Sequence, residues 1–237
     1  MDQNNSYAIV STFSTSSDTD PCVYTICKSS SDVCKIRIDF DTMVLASPFS
    51  VTSTAVLADG GKTGKCRTDT LQVISPGYQD SPIICGYNTG QHMFVPASAQ
   101  CNKIHINIDT GTTTTTRKWQ IKTTQYTCES LMAPVNQCLQ YHTASTGTFA
   151  SFAWDTSATT VATSHTHLTN QYYSVCIRRA RSYCSVCYTP KIISAITGTG
   201  SSYGLGTASN GAATKSTSGA SCTGITIAAS AKAITIA

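Results

Sequence analysis

Twelve cysteines constrain this chain more than any other feature. The number is even, and no Cys-x-x-Cys pair is followed by a second at zinc-finger spacing. Cys184-Ser-Val-Cys187 stands alone in a strand-like stretch. Such a set reads as a disulfide framework, which persists in oxidising, extracellular surroundings. The chain is therefore expected to be secreted. Met1-Asp2-Gln3-Asn4-Asn5 has no basic n-region and no apolar h-region, so a mature form is expected rather than the primary product. Asn4-Asn5-Ser6 is a glycosylation acceptor sequence with Asn4 as its site.

The remaining composition selects strands. Ser occurs 30 times and Thr 38 times, while Leu occurs seven times and Glu once, at Glu129. Strong helix formers are thus scarce, and Thr, Val, Ile and Tyr, which suit a pleated surface, are plentiful. A helix bundle is excluded. No window approaches 18 consecutive apolar residues, so no membrane-spanning helix is expected. Charged residues make up 12% of the chain, about half the roughly 25% of ordinary domains.

Short alternating runs separated by turn residues imply an all-β sandwich. Lys35-Ile-Arg-Ile-Asp-Phe40, Cys66 to Ile74, Lys103 to Ile108 and Trp119 to Cys128 read as strands, with breaks at Asp59-Gly60-Gly61, Ser75-Pro-Gly77, Asn88-Thr-Gly90 and Ala133 to Asn136. Two stretches share a pattern: Tyr24-Thr-Ile-Cys27 with Cys34-Lys-Ile-Arg-Ile38, and Tyr173-Ser-Val-Cys176 with Cys184-Ser-Val-Cys-Tyr188. Each reads as a hairpin, and the repetition suggests two copies of one β unit. Cys27 with Cys34, and Cys176 with Cys184, flank the two turns, where a cross-strand disulfide is geometrically reasonable although spacing does not fix connectivity. The boundary falls near Cys128 and Cys138, both also expected to be bridged. The expected organisation is an N-terminal extension at 1–20, a first domain at 21–129 and a second at 130–237. Residues 194–221, rich in Gly, Ser, Thr and Ala, read as a loop.

Charge is uneven. Residues 1–155 hold all 12 acidic groups and 10 bases, and residues 156–237 hold six bases and no acid. Arg178-Arg179-Ala180-Arg181 is the basic cluster. It suits a polyanion or glycan, a contact between subunits with an acidic front and a basic rear, or a solvated turn. Bases are too few, and too little interleaved with aromatics, for nucleic-acid binding.

Several stretches together resemble the CUB-domain proteins of arthropod secretomes. Asp32-Val-Cys-Lys-Ile-Arg-Ile-Asp-Phe-Asp41 is similar to that family's Cys-led strand, and Cys66-Arg-Thr-Asp69 with Ile84-Cys-Gly86 to its general signature. Gly86 to Met93, Trp119-Gln-Ile-Lys122, Cys138-Leu-Gln-Tyr141 with Thr146-Gly147, His167 to Gln171 and Tyr173 to Arg179 are similar to the arthropod group. The resemblance covers residues 20–190 well and 191–237 loosely. It implies two CUB-like antiparallel sandwiches, secretion, and recognition of proteins or glycans rather than catalysis. It also implies a Cys66–Cys85 bridge. Three departures stand out. No cysteine precedes Cys22 to pair with it. No cysteine follows Cys222, so the second domain is short or rewired, with Cys187, Cys101, Cys22 or a neighbouring chain as substitutes. Of the family's calcium ligands, a Glu and two Asp, Asp69 and Asp109 are candidates while Ala46 stands near the Glu position. Calcium takes 6–8 oxygens, so no cofactor is expected beyond calcium at this reduced site.

No motif of a hydrolase, zinc protease or phosphate loop occurs, and with five His and one Glu acid–base machinery is thin. His165 and His167 would share a strand face, two donors against the three or four of a zinc site. His92 has no nucleophile beside it in sequence. Thr112 to Thr116 reads as an exposed edge or an O-glycan site. Two functions follow. One is a secreted, non-enzymatic structural or interaction protein that self-associates into oligomers or filaments, through the open edge of an incomplete sandwich and the strand-like Gly224 to Ala228 and Ala233 to Ala237. The other is a monomeric extracellular binding module for a glycan, polyanion or apolar pigment.

Overall fold

The computed structural model describes residues 5–13, 21–49, 64–109, 116–134, 137–154, 160–161, 168–182, 194–195 and 233–236, with the backbone alone described for 5–13, 160–161, 194–195 and 233–236. These residues form twelve strands and no helix. In chain order they are β1 (Asn5–Phe13), β2 (Cys22–Ile26), β3 (Val33–Val44), β4 (Thr70–Ile74), β5 (His92–Pro96), β6 (Asn102–Asn107), β7 (Arg117–Thr127), β8 (Gln140–His142), β9 (Thr160–Val161), β10 (Tyr173–Ile177), β11 (Ser194–Ala195) and β12 (Ala233–Ile236).

Two antiparallel sheets make the sandwich. One has the order β1-β7-β3-β5 and the other β2-β6-β4. Their inner faces follow the alternation of the sequence. Ile36, Ile38 and Phe40 from β3, with Trp119 and Ile121 from β7, meet Leu71 and Val73 from β4 and Ile104 and Ile106 from β6, all essentially sealed from solvent. Trp119 Nε1 donates to the Tyr24 hydroxyl at 3.1 Å, which satisfies the one polar atom of the largest buried side chain and ties β7 to β2 across the layers.

The expected hairpin at 24–38 does not form. β2 pairs with β6, Ile26 opposite Asn102, while β3 pairs with β5 and β7. The turn at 28–32 carries the chain from one sheet to the other, so the two alternating faces oppose each other through the core instead of lying side by side. The disulfides follow that topology. Cys27 bonds Cys101 one step beyond the β2–β6 ladder, with Cα atoms 4.1 Å apart. Cys34 bonds Cys128; it sits at a register shift between Val33 and Lys35, beside the end of β7. The Cys27–Cys34 closure is thereby replaced. Cys176 bonds Cys138, not Cys184, which lies outside the described residues together with the second arm of its expected hairpin. The Cys66–Cys85 bridge is present as expected.

Described residues past 129 join the same core. Leu139, Phe152, Leu168, Tyr173 and Val175 belong to one cluster with Ile36 and Trp119. β10 pairs parallel with β8 and antiparallel with β12. β8 reaches the edge of the first sheet, where Leu139 O accepts the Phe94 N–H at 2.7 Å. β9 and β11 form a short parallel pair. The N-terminal segment, expected as an extension, supplies β1 along β7, Ser6 opposite Thr123 and Ile9 opposite Gln120. Asn4, Thr112 to Thr115, His165, His167, Cys187, Cys222 and most of residues 194–221 lie outside the described residues.

Gly86 shows why a glycine follows Cys85. Its φ is +76°, and a Cβ there would stand 3.2 Å from Pro48 Cδ and 3.3 Å from Ala153 Cβ. The loops after β3 and around residue 153 close over it, with its N–H donated to Ala46 O and its carbonyl accepting from Leu45 N. Peptide mapping of the non-reduced protein is expected to recover Cys27 linked to Cys101 and Cys34 linked to Cys128. A Cys27–Cys34 peptide would contradict the strand order.

Candidate functional site

Asp69 precedes β4 and points into the end of the sandwich, with a side chain 0% exposed. A bare carboxylate there would be prohibitively costly. Its partner is Arg117, the first residue of β7, 1% exposed. Arg117 Nε donates to Asp69 Oδ2 at 2.8 Å and Nη2 to Oδ1 at 3.0 Å, a fork-on-fork pair. Nη2 also reaches the Asp109 carbonyl at 2.9 Å. The Ala46 N–H donates to Asp69 Oδ2 at 2.7 Å, and the Asp109 N–H approaches Oδ1 at 3.4 Å. Four segments thus meet on one carboxylate: the ends of β3 and β6 and the starts of β4 and β7.

This is the place where the sequence suggested calcium at Asp69 and Asp109, and the Asp69 carboxylate is committed to another partner. Both Asp69 oxygens already accept from a cation, Asp109 offers its carbonyl to the same cation, and Ala46 presents an N–H donor where an oxygen would be required. Arg117 is the residue that sequence reasoning missed. Its signal was available: a base opening a strand whose inward neighbours are Trp119 and Ile121.

A second cluster lies on the outer face of the β3–β5 half of the first sheet. Phe94, Tyr126 and Ala133 are buried together with Tyr141 against them. Arg37 lies over the Phe94 ring, 5.7 Å from its centroid, and donates through Nε to Asp39 Oδ1 at 2.8 Å. His92, 6% exposed, packs its ring 5.7 Å from Phe94 and 5.0 Å from His142. Burial, then Arg37 and His142, push the His92 imidazole down to about 3, and burial with Arg37 lowers His142 as well. Among the described residues the rings pack on each other, Phe94 and Phe149, and Tyr141 is the hydrogen-bond partner of His92.

The arginine cluster is divided. Arg178 continues β10 and is spent internally: its Nη1 donates to Leu131 O at 3.2 Å and its Nη2 to Thr143 O at 3.4 Å. Arg179 and Arg181 are exposed at the following turn. Leu131, 82% exposed, and Met132 lie beside this end of the molecule. Among the described residues no three His, Cys, Asp or Glu side chains converge on a metal position.

Residues 135–234 match the animal CUB domain. The matched stretch carries β8 to β11, the first two residues of β12 and the Cys138–Cys176 bridge. Animal CUB domains are extracellular protein-interaction modules, generally non-enzymatic, and the all-β, disulfide-bonded architecture agrees with a CUB sandwich. No curated protein matches the chain. Among the described residues no helix is long and apolar enough to cross a membrane.

The buried pair gives a direct test. Arg117→Met leaves an uncompensated carboxylate and is expected to cost about 3–5 kcal/mol in denaturant unfolding. Millimolar calcium or a chelator is expected to leave the melting temperature of the unaltered protein unchanged.

Proposed function

We propose that this chain is a secreted, non-enzymatic interaction protein that associates with further copies of itself through its last strand. The observation that carries the reading is the pairing of β12 on β10, Tyr173 opposite Ile236 and Cys176 opposite Ala233. The ladder is made of backbone groups, and β12 contains only Ala, Ile and Thr. The same groove along β10 accepts an identical strand from a second copy with the same hydrogen bonds, which is the physical basis of strand exchange. No charge or proline on β12 discourages such pairing. The uneven charge of the two parts of the chain adds head-to-tail attraction that falls with salt. Since Arg117 already neutralises Asp69, the association is calcium-independent.

The exposure of Arg179 and Arg181 favours a second reading, a monomeric module for a polyanionic glycan. Sedimentation velocity at micromolar concentration separates the two. Concentration-dependent oligomers that revert to monomer on deleting residues 231–237 are expected. A protein that is monomeric before deletion, and is retained on a sulfated-polysaccharide column in a salt-dependent manner lost in Arg179→Ala with Arg181→Ala, would establish the second reading instead.

A further inference from the structure

We propose that the seam between β5 and β8 is an acid-opened latch, with His92 and His142 as its two sensing residues. The seam is narrow. Among the described residues one backbone–backbone bond crosses it, Phe94 N–H to Leu139 O at 2.7 Å. Beside that bond, His92 Nε2 lies 3.1 Å from both N and O of Tyr141. A ring unprotonated at Nε2 accepts the Tyr141 N–H; a protonated one loses that bond and donates to the Tyr141 carbonyl instead, a gain outweighed by burial and by the cations beside it. The His142 ring stands 5.0 Å from the His92 ring, and its Nε2 is buried with no hydrogen-bond partner among the described residues. The carboxylate opposite His92 in the β3–β5 ladder, Asp39, is already held by Arg37.

The surrounding charges make the same point. On the outer face of the sheet, β3 contributes Lys35, Arg37 and Asp39, and β7 contributes Lys122 opposite Asp39 and Tyr126 opposite Lys35. β8 brings Tyr141, and Arg178 follows β10 nearby. Asp39 is the carboxylate of this face, and Arg37 holds it in an ion pair at 2.7 Å. Two imidazolium ions would therefore enter a cluster that is already cationic. Opening the seam returns both rings to water, where they titrate near their ordinary value of 6.5. The sign is fixed by linkage. The closed seam binds fewer protons than the open one, so its stability is complete above about pH 6.5 and falls as pH is lowered. The bridge from Cys138 to Cys176 keeps β8 attached to β10 when it leaves β5, so opening uncovers the β5 edge without releasing the segment. The latch operates whatever partner the protein binds.

Hydrogen exchange of the intact protein at pH 7.5 and 5.0, corrected for intrinsic rates, tests this. The Phe94 amide reports the seam, because it bonds across to Leu139 while the Ile121 amide lies in the central β3–β7 ladder. The expected result is a seam that opens more at pH 5.0 by about 30-fold if one histidine titrates, and up to about 1,000-fold if both do. Ile121 should stay protected. His92→Gln with His142→Gln should abolish the pH dependence. Equal exchange at both pH values, or a parallel loss at Phe94 and Ile121, overturns the latch, and that comparison stands on the unaltered protein even if the double variant fails to fold.

Discussion

A carboxylate sealed from water has to be neutralised, and in this chain the neutralisation organises one end of the sandwich. Asp69 and Arg117 are separated in sequence by β4, β5 and β6, yet they form a two-point contact, Nε to Oδ2 and Nη2 to Oδ1. The planar guanidinium fixes β7 relative to β4, which belong to different sheets. Two backbone N–H groups add the loops after β3 and β6. At the opposite end the same job falls to covalent bonds, Cys27–Cys101 within one sheet and Cys34–Cys128 within the other. The apolar core between them supplies the driving force, and the two polar ends supply the register.

The segment beyond residue 129 is held by a different kind of chemistry. Phe152 and Leu168 enter the shared core, but the loop around them is positioned by amides. Asn88 Oδ1 accepts the Ala153 N–H at 2.8 Å while its Nδ2 donates to Cys85 O at 3.0 Å. Gln91 Nε2 donates to Ser151 O at 3.0 Å, and Gln140 Nε2 to Ala150 O at 3.3 Å. These residues lie inside the stretches by which the chain resembled arthropod CUB proteins, so part of that resemblance is now explained as loop anchorage. The match of residues 135–234 to the animal CUB domain falls on this same part of the chain.

Much of the fold could be read from alternation alone. β3, β6 and the first half of β7 each bury one face, and their sequences alternate plainly, as the Ile36, Ile38 and Phe40 series does. β5 escaped because His92 to Val95 are buried on both faces, which erases the period of two. β1 escaped because its partner β7 is over a hundred residues away and nothing local marks an edge strand. Hairpin logic failed at 24–38 for a related reason. Alternation says which side of a strand is apolar but not whether its neighbour lies beside it or across the core. At the candidate site, Asp69 was legible; Arg117 showed its inward place in the alternation with Trp119 and Ile121, but only the topology brings it to Asp69.

The connectivity of Cys27 has a consequence for how the molecule is made. During synthesis Cys34 leaves the ribosome long before Cys101, and Cys22 and Cys34 are the nearest thiols that Cys27 meets. Local encounter therefore favours a link that the finished protein does not contain, because short loops close with less entropy loss than long ones. Cys34 in turn has to wait for Cys128, which arrives only when β7 is complete. The native pattern is reached by holding early thiols reduced or by exchanging them later. A chain of this topology is thus a demanding client for oxidative folding, and its yield depends on the timing of thiol oxidation as much as on the stability of the sandwich.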